Sequence, residues 1–173
     1  MEWGILAVIG LVGVYSLLTH QTSDSYLTEE DYDDRQRQIM GRSYKYGLVA
    51  ILVLLFLYIV LASMYEDLFS VDFILMSLFF LSVAVVGVTN IVNGTYYPTK
   101  KGKEKQRLSP VQGIVSGLLI AGASLFLLFL EPNKDGLFQK GGNGGLAVLG
   151  LVGLALSLAF SYRLWKDKRE VDE

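Results

Sequence analysis

The chain has 173 residues, of which 52% are hydrophobic and 18% charged, with a formal net charge of −2. Soluble domains carry about 25% charged residues, and the shortfall here comes from long uncharged runs, so the composition is that of a membrane protein with no second soluble domain. There is no cysteine and a single histidine, His20, which excludes disulfides, thiolate chemistry, Cys-based metal sites and any His-pair metal motif.

The first run, residues 3–19, is WGILAVIGLVGVYSLLT. A signal peptide would have a basic leader and a small-residue cleavage site. Glu2 is the only charge ahead of this run, which ends in Leu17-Leu18-Thr19-His20, so it reads as a retained span. Residues 20–47 are polar. Thr28-Glu29-Glu30-Asp31 fits a capping box, followed by Asp33 and Asp34 and then by Arg35, Arg37, Arg42 and Lys45. Acids first and bases last suit the helix dipole. Asp31/Arg35 and Asp33/Arg37 stand at i,i+4, and Tyr32, Ile39, Met40 and Tyr44 form a loose apolar stripe. The pattern predicts an amphipathic helix over about 28–45, lying on the cytoplasmic surface with its acidic turns near the 100–107 loop. It would lead into the next span with Gly47 as a bend.

Two runs follow, over 46–65 and 71–92, separated by a turn that holds Glu66 and Asp67. A hydrocarbon core of about 30 Å needs about 20 apolar residues of helix, the one spanning element that bonds its own backbone. The pair therefore reads as a transmembrane hairpin. Asn93-Gly94 ends the second run, and the loop after it carries Lys100, Lys101, Lys103, Lys105 and Arg107. A fourth span is predicted over 111–130, after Pro110, which suits a first helical turn. Glu131-Pro132-Asn133 stops it. The glycine-rich segment 134–145 lacks the Gly-Lys-Ser/Thr of a phosphate loop and reads as a linker. A fifth span is predicted over 145–162, followed by a charged tail.

Five spans put all but two of the 15 Lys and Arg on one side, with only Lys134 and Lys140 opposite. Positive loops stay in the cytoplasm, so the N-terminus is expected outside and the C-terminus inside. Trp3, Trp165 and most span-end tyrosines fall where interfacial aromatics belong. The expected fold is an all-α, five-helix polytopic bundle in one domain.

The spans offer isolated hydroxyls but no accompanying Lys or His at membrane depth, so no acid–base or nucleophilic constellation forms. The expectation is a protein without enzymatic activity, cofactor, metal or nucleic-acid partner. Asp72 lies one turn into the third span. It has a bland reading as a helix N-terminal acid and a functional one, with Asn90, as a cation or proton pathway of a small transporter or channel. Gly113, Gly117 and Ala121 recur at i,i+4 in the fourth span, as Gly153, Ser157 and Ser161 do in the fifth. Such faces let helix backbones approach closely, within one bundle or against another membrane protein or a second copy. Lys100, Lys101, Lys103, Lys105 and Arg107 could contact anionic lipid headgroups or simply fix topology. The expected function is that of an accessory, regulatory or immunity-type protein acting by helix packing with a membrane partner.

Asp33-Asp34-Arg35-Gln36, with Gly41-Arg42-Ser43-Tyr44-Lys45-Tyr46-Gly47 opening a span, resembles a motif of small Gram-positive bacterial membrane proteins of unknown function. Their pattern is Asp-Glu-Arg-Gln, then Gly-Lys-Ala-Tyr, then a span. Here Asp replaces Glu, and Arg-Ser replaces Lys-Ala. The resemblance implies a bacterial cytoplasmic membrane and no activity.

Overall fold

The computed structural model describes residues 32–65, 69–96, 110–130, 138–139 and 143–172. They form four helices and no strand: α1 (Asp34–Met64), α2 (Val71–Val92), α3 (Pro110–Leu130) and α4 (Gly144–Asp172). All four contain stretches long and apolar enough to cross a membrane. The described chain thus has the make-up of a multi-pass helical membrane bundle, with four spans where five were expected. The span expected over 3–19, the capping box Thr28-Glu29-Glu30-Asp31 and the loop at 100–107 lie outside the described residues.

α1 differs from its expectation. The surface helix predicted over 28–45 and the span predicted over 46–65 are, from Asp34 on, one uninterrupted helix of 31 residues. At 1.5 Å per residue it is about 46 Å long, well beyond a hydrocarbon core of about 30 Å, so its charged turns continue the span's axis. No proline intervenes, and the two interior glycines, Gly41 and Gly47, cost only about 1 kcal/mol each. Helix start is set by Asp33 and Gln36, whose side chains form a reciprocal capping box. The Gln36 N–H donates to Asp33 Oδ1 at 2.6 Å, and the Asp33 N–H to Gln36 Oε1 at 3.3 Å. Gly47 is not a bend but a contact. A Cβ there would lie 2.7 Å from Val86 Cγ2 on α2.

α4 also outruns its expectation. It continues past Tyr162 through ten residues predicted as a tail, a helix of 29 residues. Arg163 and Asp167 pair at i,i+4 with an Nη2–Oδ1 distance of 2.7 Å, and the Arg169 guanidinium sits 4.3 Å from the Trp165 ring centroid. Both are one-turn contacts that support a helix leaving the bundle.

The helices neighbour one another in the order α1–α2–α4–α3. α1 and α2 are antiparallel, with Gly47 beside Val86 and Tyr58 beside Ser77. α3 and α4 are antiparallel as well. α2 and α4 run parallel, Gly87 meeting Leu156 and Gly94 meeting Arg163. α4 is the core element. Leu146 and Leu149 pack with α2 and α3 side chains at one end, Val148 and Val152 with Phe73 and Ala84, and Ala159 and Phe160 with Ile91 at the other. The end where α1 stops is closed by aromatic rings. Tyr58 stands edge-on to Phe69 at 5.2 Å, and Phe138 lies 5.0 Å from Phe73. The Ser70 N–H donates to the Phe138 carbonyl at 2.9 Å.

Candidate functional site

Three places hold the residues that the sequence singles out. The first is the α3–α4 seam. Gly113, Gly117 and Ala121 are buried on α3, and Gly153 and Ser157 on α4. A Cβ on Gly117 would lie 2.7 Å from the Gly153 carbonyl oxygen, and one on Gly153 equally close to that of Gly117. The two backbones therefore touch. Gly113 receives the face of Phe160, whose ring carbons would lie 2.6 Å from an added Cβ. Ser161 is half-buried and donates to the Ser157 carbonyl at 2.9 Å. The structure places these small residues inside the bundle, where dispersion between close backbones replaces the hydrophobic drive that lipid removes.

The second is α2. Asp72 is exposed in its first turn. Asn90 lies eighteen residues on, about 27 Å along the axis. Its carbonyl accepts from the Thr95 N–H at 2.9 Å, and its Oδ1 from the Thr95 hydroxyl at 3.2 Å. The structure does not bring Asp72 and Asn90 together. The hydroxyls between them bond locally, Ser77 to the Phe73 carbonyl, Ser82 to that of Phe79 and Thr89 to that of Val85.

The third is the surface of α1. Only Gln36, Ser43 and Gly47 are buried along it. Leu48, Val49, Leu52, Val53, Phe56 and Ile59 are more than half exposed. Its contacts to the bundle include Gln36 with Gly94, Gly47 beside Val86, and Tyr58, whose hydroxyl is bonded to that of Ser77.

At the end where α1 begins, the structure assembles a site that the sequence reading missed. A cleft of about 240 Å³ opens between α1, the turn after α2 and the outer part of α4. It is lined by Asp33, Arg35, Gln36 and Ile39, by Asn93, Gly94 and Thr95, and by Arg163 and Lys166. Gly94 has a φ of +71°, and a Cβ on it would meet Arg163 Cζ at 2.9 Å. Glycine is needed twice over, for the left-handed turn and for the guanidinium lying on it. Side-chain donors cover the carbonyls where α2 ends. Asn93 Nδ2 donates to Thr89 O at 2.7 Å, Thr95 Oγ1 to Asn90 O at 3.1 Å and Gln36 Nε2 to Gly94 O at 3.3 Å. Arg163 Nε is shut off from solvent with no acceptor among the described residues. Beside the cleft, Tyr96 packs edge-on against Phe160 at 5.3 Å, and partial burial pushes its phenol above the ordinary value of 10.0, so the hydroxyl stays protonated.

The sequence carried one usable signal for this cleft. Asn93-Gly94 marks the stop of a span, and Asn-Gly is also a signature of a tight left-handed turn. Such a turn brings the chain back beneath the helix end. Arg163 had no such signal, since its partner is nearly seventy residues away. Among the described residues there is no group of His, Cys, Asp or Glu able to hold a metal ion. No family model, no curated protein and no solved structure matches the chain.

Proposed function

We infer that this chain is a non-enzymatic integral membrane protein of a bacterial cytoplasmic membrane, of accessory, regulatory or immunity type, that works by packing against a partner within the bilayer. In this reading residues 3–19 add a fifth span, the N-terminus is outside and the C-terminus cytoplasmic, because the Lys and Arg then gather on the inner side. The carrying observation is α1. Its apolar stretch turns nearly all of its side chains outward, and it is attached to the bundle along one stripe through α2. Among the described residues most of its circumference is left uncovered, which suits a second membrane surface. The local bonding of the hydroxyls supports the non-catalytic side of the reading, because Ser43, Ser63, Ser77, Ser82, Thr89, Ser116 and Ser161 each donate to a carbonyl of their own helix.

The test is co-purification of the full chain from its native membrane in a mild detergent, with particle mass measured by light scattering. A partner or a self-associated particle is expected. Leu52→Ala with Phe56→Ala, on the exposed side, should reduce that association and leave the thermal midpoint unchanged. A strictly monomeric particle without a partner would sink the reading.

A further inference from the structure

We propose that the cleft between α1, the turn after α2 and the outer part of α4 is a binding site for an anionic phosphate ester, the group that a phospholipid headgroup presents. It is distinct from the packing surface of α1 and stands whether or not a protein covers that surface.

Four features of the site favour an anion of this kind. Among the described residues that line the cleft, Arg35, Arg163 and Lys166 stand against one carboxylate, Asp33, which already accepts the Gln36 N–H in capping α1. The end of α2 would ordinarily repel an anion, because helix C-termini carry negative partial charge. Here Asn93, Thr95 and Gln36 donate to the carbonyls of Thr89, Asn90 and Gly94, which masks that charge. Arg163 is held by Asp167 through Nη2 and lies flat on Gly94. Its Nε is buried with no acceptor among the described residues, while the side chain as a whole lines the cleft. Phosphate oxygens are strong acceptors for a guanidinium whose plane is already set. Finally, the site lies at a bundle end beside exposed Tyr96, Tyr162 and Trp165, the level at which aromatic side chains meet headgroups. Basic pockets between membrane helices at this depth take anionic headgroups.

The test is isothermal titration calorimetry on the full chain in a neutral detergent. The titrants are dioctanoyl phosphatidylglycerol, dioctanoylglycerol, which lacks the phosphate, and inorganic phosphate. Saturable binding of the phosphatidylglycerol and none of the dioctanoylglycerol are expected. Arg163→Lys keeps the charge but removes the planar guanidinium fork, and Arg35→Gln removes a charge from an exposed position. Each should weaken binding about tenfold, the effect of one charge-assisted hydrogen bond. Lys168→Gln, outside the cleft, should change it less than twofold. Inorganic phosphate binding as tightly as the lipid would support the site and identify its ligand as soluble. The proposal is overturned if neither phosphate-bearing titrant saturates, if dioctanoylglycerol binds equally, or if Lys168→Gln weakens binding as much as Arg35→Gln.

Discussion

Gly94 sets the geometry of one end of the molecule. Its positive φ lets the chain turn back so that Thr95 reaches Asn90, and its missing side chain lets Arg163 lie against the backbone. An L-residue in this left-handed conformation costs about 1–2 kcal/mol, and an added methyl must also displace the guanidinium. Gly94→Ala is therefore expected to lower the thermal midpoint in detergent by several degrees. An unchanged midpoint would mean that the turn relaxes freely. At this scale the sequence was legible where a residue type at a given spacing has few structural uses. Gly113, Gly117 and Ala121, four apart in an apolar helix, could serve only close packing. It was opaque where the meaning of a residue is supplied from across the bundle. Arg163 reads as the first charge of a tail until Gly94 is seen beneath it.

Glycines that look alike along the helices should respond with opposite signs. Gly41 in α1 has open space where a Cβ would go, Gly47 would meet Val86, and Gly117 would meet the backbone of Gly153. Gly41→Ala should stabilise α1 by about 0.5–1 kcal/mol, the difference in helix propensity. Gly47→Ala should be destabilising, because a stiff valine must give way. Gly117→Ala should cost the most, about 1–3 kcal/mol or more, because two backbones must separate. Chemical unfolding of the three variants in one detergent ranks them, and a Gly117→Ala protein as stable as the Gly41→Ala protein would contradict the seam. Element positions were readable from uncharged runs, since lipid tolerates little else. Element ends were not. The charged turns of α1 and α4 are good helix formers, and nothing in them marks where a span leaves the bilayer. A surface helix and a tail were therefore expected where two spans simply continue.

For the molecule as a whole, helical class and membrane character followed from composition alone. The orientation proposed above rests on charge and can be read directly in a background with no native cysteine. Gly102→Cys and Gly142→Cys should label oppositely with an impermeant thiol reagent in intact cells, Gly142→Cys from outside and Gly102→Cys only after permeabilisation. Outside labelling of Gly102→Cys would invert the map. The arrangement of the helices was not legible. Charge fixes which ends share a side of the membrane but not which helices touch. That α2 neighbours α4, and that α1 reaches the rest through α2, depends on side-chain shapes such as Gly87 against Leu156.

The parallel pairing of α2 with α4 bears on how the protein can be built. α1 with α2, and α3 with α4, are each antiparallel neighbours in sequence, so each half is a hairpin able to insert as one unit. The halves meet along side chains that need no covalent link: Ile91 with Ala159 and Phe160, and Phe73 and Ala84 with Val148 and Val152. A gene divided within residues 97–109 should therefore yield two polypeptides that find each other after separate insertion. Co-expressed fragments 1–102 and 103–173 are expected to co-purify through a tag on one of them. Leu156→Trp, which crowds Gly87 at the junction, should separate the fragments while leaving the uncut chain intact. Folding of this protein would then be assembly between two preformed pieces rather than the progressive winding of a single strand.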